Sequence, residues 1–95
     1  AGMVNAEKAL EYGLVNHVVS LEELLPFCLK IASRIANNST VAIKYAIKAV
    51  NAGFKYDTDG YATEIDAFGT CFGTEDFKEG TTAFLEKRKA NFPGS

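Results

Sequence analysis

The chain has 95 residues, 47% of them hydrophobic, and a formal net charge of −2. That length holds one domain at most, and the composition is that of a folded chain rather than a disordered one. No apolar run approaches the ~18 residues that a membrane span requires, and the weak negative charge argues against nucleic acid as a partner.

The chain opens Ala1-Gly2-Met3, with neither an initiator methionine nor a signal-like segment, so it is expected to be a piece of a longer protein. Asn5 is placed to cap a short helix over Ala6–Tyr12, with Gly13 as its stop. Leu14–Val19, short, rich in β-branched residues and flanked by Gly13 and Ser20, reads as the one strand candidate, which would need a partner from elsewhere. Ser20 and Glu23 form an S-x-x-E capping box, and Leu24, Leu25, Cys28, Ile31, Ala32, Ile35 and Ala36 follow at helical spacing. Pro26 interrupts that pattern and predicts a kink, or a helix restarting near Leu25.

A turn at Asn37–Thr40 leads, with Ser39 as cap, to a third helix over Val41–Asn51 that stops at Gly53 and is apolar on most sides. Beyond a loop at Lys55–Thr58, a fourth helix carries Tyr61, Ile65, Phe68 and Phe72 along one stripe and stops at Gly73. Thr74 caps a final helix with Glu75 and Asp76 in its first turn and Lys87, Arg88 and Lys89 in its last, a charge order that suits the helix dipole.

Catalytic chemistry is sparse. His17 is the only histidine, far in sequence from Cys28 and Cys71, so no metal-ligand set is expected. The two cysteines form no CxxC pair, which fits a reducing compartment, read as cytoplasmic or alternatively the mitochondrial matrix. Capping explains Glu23, Glu75 and Asp76 without catalysis; Glu64, beside the aromatic stripe, is read as an ion-pair partner within an oligomer. No phosphate loop, nucleophile elbow or dinucleotide fingerprint occurs.

Three blocks carry more specific information: A-E-K-A-L-E-Y-G-L-V-N-H-V-V (Ala6–Val19), N-S-T-V-A-I-K (Asn38–Lys44) and T-E-D-F-K-E-G-T-T-A-F-L-E-K-R-K-A-N-F (Thr74–Phe92). In order and spacing they resemble the last third of enoyl-CoA hydratases of the crotonase superfamily. Thr40 stands where that family usually has proline, and Phe77 where it usually has a polar residue.

The resemblance implies a mainly α region from the C-terminal end of a crotonase-type α/β spiral fold. Residues 1–19 would be the tail of the missing spiral core, and 20–95 an oligomerisation and CoA-lid region. It implies a parent enzyme that binds acyl-CoA thioesters as substrate, with no covalently bound cofactor, and assembles as a trimer or hexamer. In such enzymes two backbone N–H groups stabilise an enolate-like oxyanion, and in hydratases two glutamates handle water and proton. Those groups would lie upstream, so this chain alone is expected to have no catalytic residue and no activity, but to self-associate. By the motif match, Phe68, Phe84 and Lys87 stand where family members contact CoA. Without the resemblance, both phenylalanines would be core residues and Lys87 a solvated helix end. A non-catalytic helical oligomerisation or interaction module therefore remains the alternative.

Overall fold

The computed structural model describes residues 2–95, and all the regular secondary structure among them is helical. They divide into two compact units, one ending at Arg34 and the other comprising Ile35–Ser95.

In the first unit, α1 (Ala6–Glu11) starts where the Asn5 carboxamide oxygen accepts from the Lys8 N–H at 2.9 Å. It ends at Gly13, whose φ of 74° lets the Leu14 N–H reach back to the Ala9 carbonyl at 2.9 Å. The chain beyond this stop corrects the strand expectation, because Leu14–Val19 forms no ladder. Strand hydrogen bonds need a neighbour, and the described residues supply none. His17 is exposed and meets Phe27 edge-on, with ring centroids 5.0 Å apart.

α2 (Leu21–Ala36) runs without interruption through Pro26. Proline at the sixth helical position removes the bond to the Glu22 carbonyl, and that carbonyl lies on an exposed first turn where water can satisfy it. No residue of α2 is buried, so its apolar stripe lies open along its length.

The second unit holds the remaining helices. α3 (Thr40–Ala52) begins at Ser39, whose hydroxyl accepts from the Ala42 N–H at 3.1 Å. Thr40 in place of proline therefore leaves the start of this helix intact. α4 (Gly60–Cys71) is capped by Asp59, and α5 (Glu75–Leu85) by Thr74. α3 and α4 pack against each other, with Gly60 closed down on Gly53 at their loop end.

The buried hydrophobic residues among those described are Ala52, Ala67 and Ala83, one on each of these helices. Small side chains permit close backbone approach but bury little area. Most of the larger residues are exposed, including the whole Tyr61, Ile65, Phe68 and Phe72 stripe of α4.

After α5 the chain turns and runs back along it. Phe92 sits over Gly80, where an added Cβ would meet its ring at 3.2 Å. Further on, the Gly94 and Ser95 amides donate to Asp76 in the first turn of the same helix, at 2.7 and 3.2 Å.

Candidate coenzyme-binding surface

Two adjoining apolar clefts occupy the second unit. The larger, about 590 Å³, lies between α3 and α4, with Ala42 near Cys71 at one end and Val50 near Glu64 at the other. Early α3 facing late α4 makes the pair antiparallel. Phe68 borders this cleft and is 68% exposed, so it is not the core residue that periodicity alone would make it. The second cleft, about 370 Å³, shares Ala42 and Cys71 with the first and is bordered by Phe77, Phe84 and Phe92.

An aromatic row joins the two. Phe68 meets Phe72 edge-on at 5.0 Å, and Phe72 meets Phe77 at 4.5 Å. Phe77 is half-buried, in keeping with the apolar residue found there in place of a polar one. The structure thus sets Phe68 and Phe84 on neighbouring clefts rather than in one. Lys87 lines neither cleft, and is joined to Phe84 through the turn that ends α5.

That turn departs from the expected helix end. α5 stops at Leu85, and Lys87 lies beyond it with φ 54°. The Lys87 N–H donates to the Phe84 carbonyl at 3.3 Å and the Arg88 N–H to the Ala83 carbonyl at 3.0 Å, the Schellman pattern with lysine where glycine is usual. A left-handed conformation costs a residue with a Cβ about 1 kcal/mol or more. Among the described residues the Lys87 ammonium has no hydrogen bond or ion pair, and Phe84 is 83% exposed.

The neighbours of Lys87 are firmly held. Arg88 forks onto Glu79, with Nη1 at 2.6 Å from Oε1 and Nη2 at 3.1 Å from Oε2, and its Nε donates to Glu86 at 2.6 Å. The Asn91 N–H donates to the same Glu79 carboxylate at 2.8 Å. The guanidinium and this amide hold the Glu79 carboxyl at about 2, below its usual 4.5. A depressed folded value means that the clamp contributes fully above pH 4.5 and is lost as pH falls through about 2. An NMR titration of the Glu79 carboxyl is expected to show that low midpoint; one near 4.5 would mean that the clamp does not form in solution.

Asp76 was legible only as a first-turn charge, yet it is 3% exposed and ties three segments together. Its carboxylate accepts from the Ser39 hydroxyl and from the two tail amides, while its own N–H donates to the Ser95 carbonyl at 2.9 Å. The Ser39 bond above all holds this carboxyl below the usual range, helped by the Gly94, Ser95 and Val41 amides and opposed by burial. The N-termini of α3 and α5 meet here, and both favour a negative charge.

The final block therefore sorts into two sets. Asp76, Glu79, Gly80, Ala83 and Arg88 build the helix and its returning tail, whereas Phe84 and Lys87 are left facing outward.

A family model described as enoyl-CoA hydratase/isomerase matches residues 1–95. The chain belongs to the enoyl-CoA hydratase/isomerase family. It is 53% identical over 93 residues to a crotonyl-CoA hydratase of Syntrophomonas wolfei, covering 97% of this chain and 36% of that protein. A methylmalonyl-CoA decarboxylase of Escherichia coli is 35% identical over an alignment of 97 positions, with 99% of this chain and 37% of that protein covered. Among solved structures, an enoyl-CoA hydratase of Bacillus anthracis superposes with a TM-score of 0.86 at 35% identity, over 95% of this chain and 35% of that one. The chain thus spans about a third of the length of each of these three relatives. Its five helices share the fold of the corresponding part of a family enzyme.

Proposed function

We propose that this chain works as the C-terminal third of an acyl-CoA-processing enzyme, an enoyl-CoA hydratase that adds water to a 2-enoyl-CoA. In that enzyme its helices bring subunits together and cover the coenzyme. The observation that carries this reading is a full-length match to about a third of each of those three relatives, in a chain whose apolar faces are left open. Such faces call for cover by a core or by other subunits.

Phe68 and Phe84 offer aromatic surface to an adenine ring or acyl tail, and the unpaired Lys87 offers a point charge to the phosphates of CoA. Water is activated elsewhere, by glutamates on the upstream core, so the chain alone is inactive. The identity to a crotonyl-CoA hydratase favours hydration over decarboxylation, although residues outside this chain choose the reaction. The cytoplasm or the mitochondrial matrix would keep Cys28 and Cys71 as thiols.

The test joins this chain to the remaining two-thirds of the Syntrophomonas wolfei enzyme and follows crotonyl-CoA hydration. The completed enzyme is expected to turn over and the chain alone not to; activity of the chain alone would overturn the reading. Lys87→Glu in the completed enzyme is expected to raise KM about 10-fold with kcat nearly unchanged, since the contact is remote from the reacting carbons. A lost kcat at constant KM would remove Lys87 from the coenzyme surface.

A further inference from the structure

Lys87 occupies an uphill backbone conformation at the apex of a bend, and none of the described residues holds its side chain there. Its neighbours do the holding. Glu79 grips Arg88, the next residue, through both Nη atoms of its guanidinium, and Asn91, four residues on, through the main-chain amide. The Glu79 side chain is 21% exposed against 41% for Arg88, so the carboxylate is the more enclosed partner of the pair. A carboxylate with two oxygens in a fork and a third donor on one of them is a fixed anchor, unlike a single surface ion pair.

We infer that Glu79 is a positioning residue: by clamping Arg88 and Asn91 against α5, it keeps Lys87 in the left-handed conformation in which its ammonium meets the phosphates of an acyl-CoA. The inference rests on the reading of Lys87 given above and goes beyond it, because Glu79 itself touches no ligand. Without the clamp, residues 88–91 lose their hold on the flank of α5, and the chain beyond them is tethered by Phe92 over Gly80 and by the Asp76 staple. Lys87 then relaxes to the right-handed region and adds itself to the helix, which re-aims its side chain. The backbone bonds from Lys87 and Arg88 to Phe84 and Ala83 would not prevent this, since a continuing helix replaces them with its own.

The experiment uses the completed enzyme, with crotonyl-CoA and with crotonyl-pantetheine, which lacks the nucleotide phosphates. Glu79→Gln keeps an acceptor for Asn91 but loses the charge and half of the fork. It is expected to raise KM for crotonyl-CoA about 5-fold with kcat within about 2-fold, and to leave KM for crotonyl-pantetheine unchanged. In a Lys87→Ala background it is expected to add nothing further. Arg88→Lys, which keeps the charge but cannot fork, serves as the second variant should Glu79→Gln fold poorly, and the same pattern is expected of it.

If Lys87→Ala alone leaves KM unchanged, the reading of Lys87 falls and the positioning role with it. If Lys87→Ala raises KM while Glu79→Gln and Arg88→Lys do not, only the positioning role falls. An equal rise for both substrates, or in both backgrounds, would mark Glu79 as merely structural and also overturn the inference.

Discussion

Replacing Asp76 by alanine is expected to free the C-terminal tail and loosen the start of α3 in a single step. The substitution leaves the Ser39 hydroxyl, itself buried, without its acceptor, and it strips the Gly94 and Ser95 amides of theirs. Only the Asp76 main-chain bond to the Ser95 carbonyl survives. Charge-assisted bonds of this kind are about twice as strong as neutral ones, and a buried polar group left unpaired carries its full desolvation cost. Amide exchange at Gly94 and Ser95 is therefore expected to accelerate roughly ten- to hundred-fold, with a fall in Tm on the order of 10 °C. Asp76→Asn should fall between: its oxygen can still receive the tail amides, and its NH2 can donate to Ser39 once that hydroxyl rotates. Because the folded pKa lies below the ordinary 3.8, the carboxylate's contribution is complete above that value and fades as pH drops through the lower folded value. An Asp76→Ala chain that melts and exchanges like the parent would show that the buried staple does not hold the tail.

What could be read in advance follows the range of each interaction. Ser39 and Thr74 act through amides three residues on, and Gly13 through its own φ, so these caps and stops were visible locally. The third helix came within one residue of its observed ends for the same reason. Asp59 caps α4 one residue beyond the loop that the sequence places at Lys55–Thr58. The partners of Asp76 lie 37 residues before it and 18 and 19 after it, and no spacing rule connects them. Glu79 and Arg88, nine residues apart, are likewise brought together by a turn that no glycine announces. Lys87 breaks the helix without the usual residue, so Lys87–Lys89 looked like a last turn. The strand expected at Leu14–Val19 does not form, because a ladder needs two participants and the described residues supply no second one.

The candidate coenzyme surface divides in the same way. The motif match alone points to Phe68, Phe84 and Lys87, and the geometry adds why two of them stay outward: the rest of the final block is consumed in building the turn beneath them. Phe68 differs, since its ring belongs to the row through Phe72 to Phe77 and borders the α3/α4 cleft. The shape of that cleft depends on how closely the two helices approach, and hence on very small residues.

Gly60 sets that approach, and two effects compete when it is replaced. Helix propensity favours alanine over glycine by up to about 1 kcal/mol within a helix, so propensity alone predicts that Gly60→Ala stabilises. The packing predicts the opposite. A Cβ at Gly60 would lie 3.0 Å from the Gly53 Cα and 3.2 Å from its nitrogen, and these are backbone atoms that cannot swing aside. Overpacking of this kind costs about 1–3 kcal/mol. Alanine is therefore expected to be neutral to destabilising by about 1 kcal/mol, and Gly60→Val, bulkier and a poorer helix former, to approach 3 kcal/mol. Gly69 in the same helix is the control, since a Cβ there meets nothing within 4 Å and only propensity acts. Gly69→Ala is expected to stabilise by up to about 1 kcal/mol. Urea unfolding of the completed enzyme, followed by circular dichroism, would show the midpoint falling for Gly60→Val and rising for Gly69→Ala. Stabilisation by both would mean that contact between Gly53 and Gly60 does not determine how closely α3 and α4 pack.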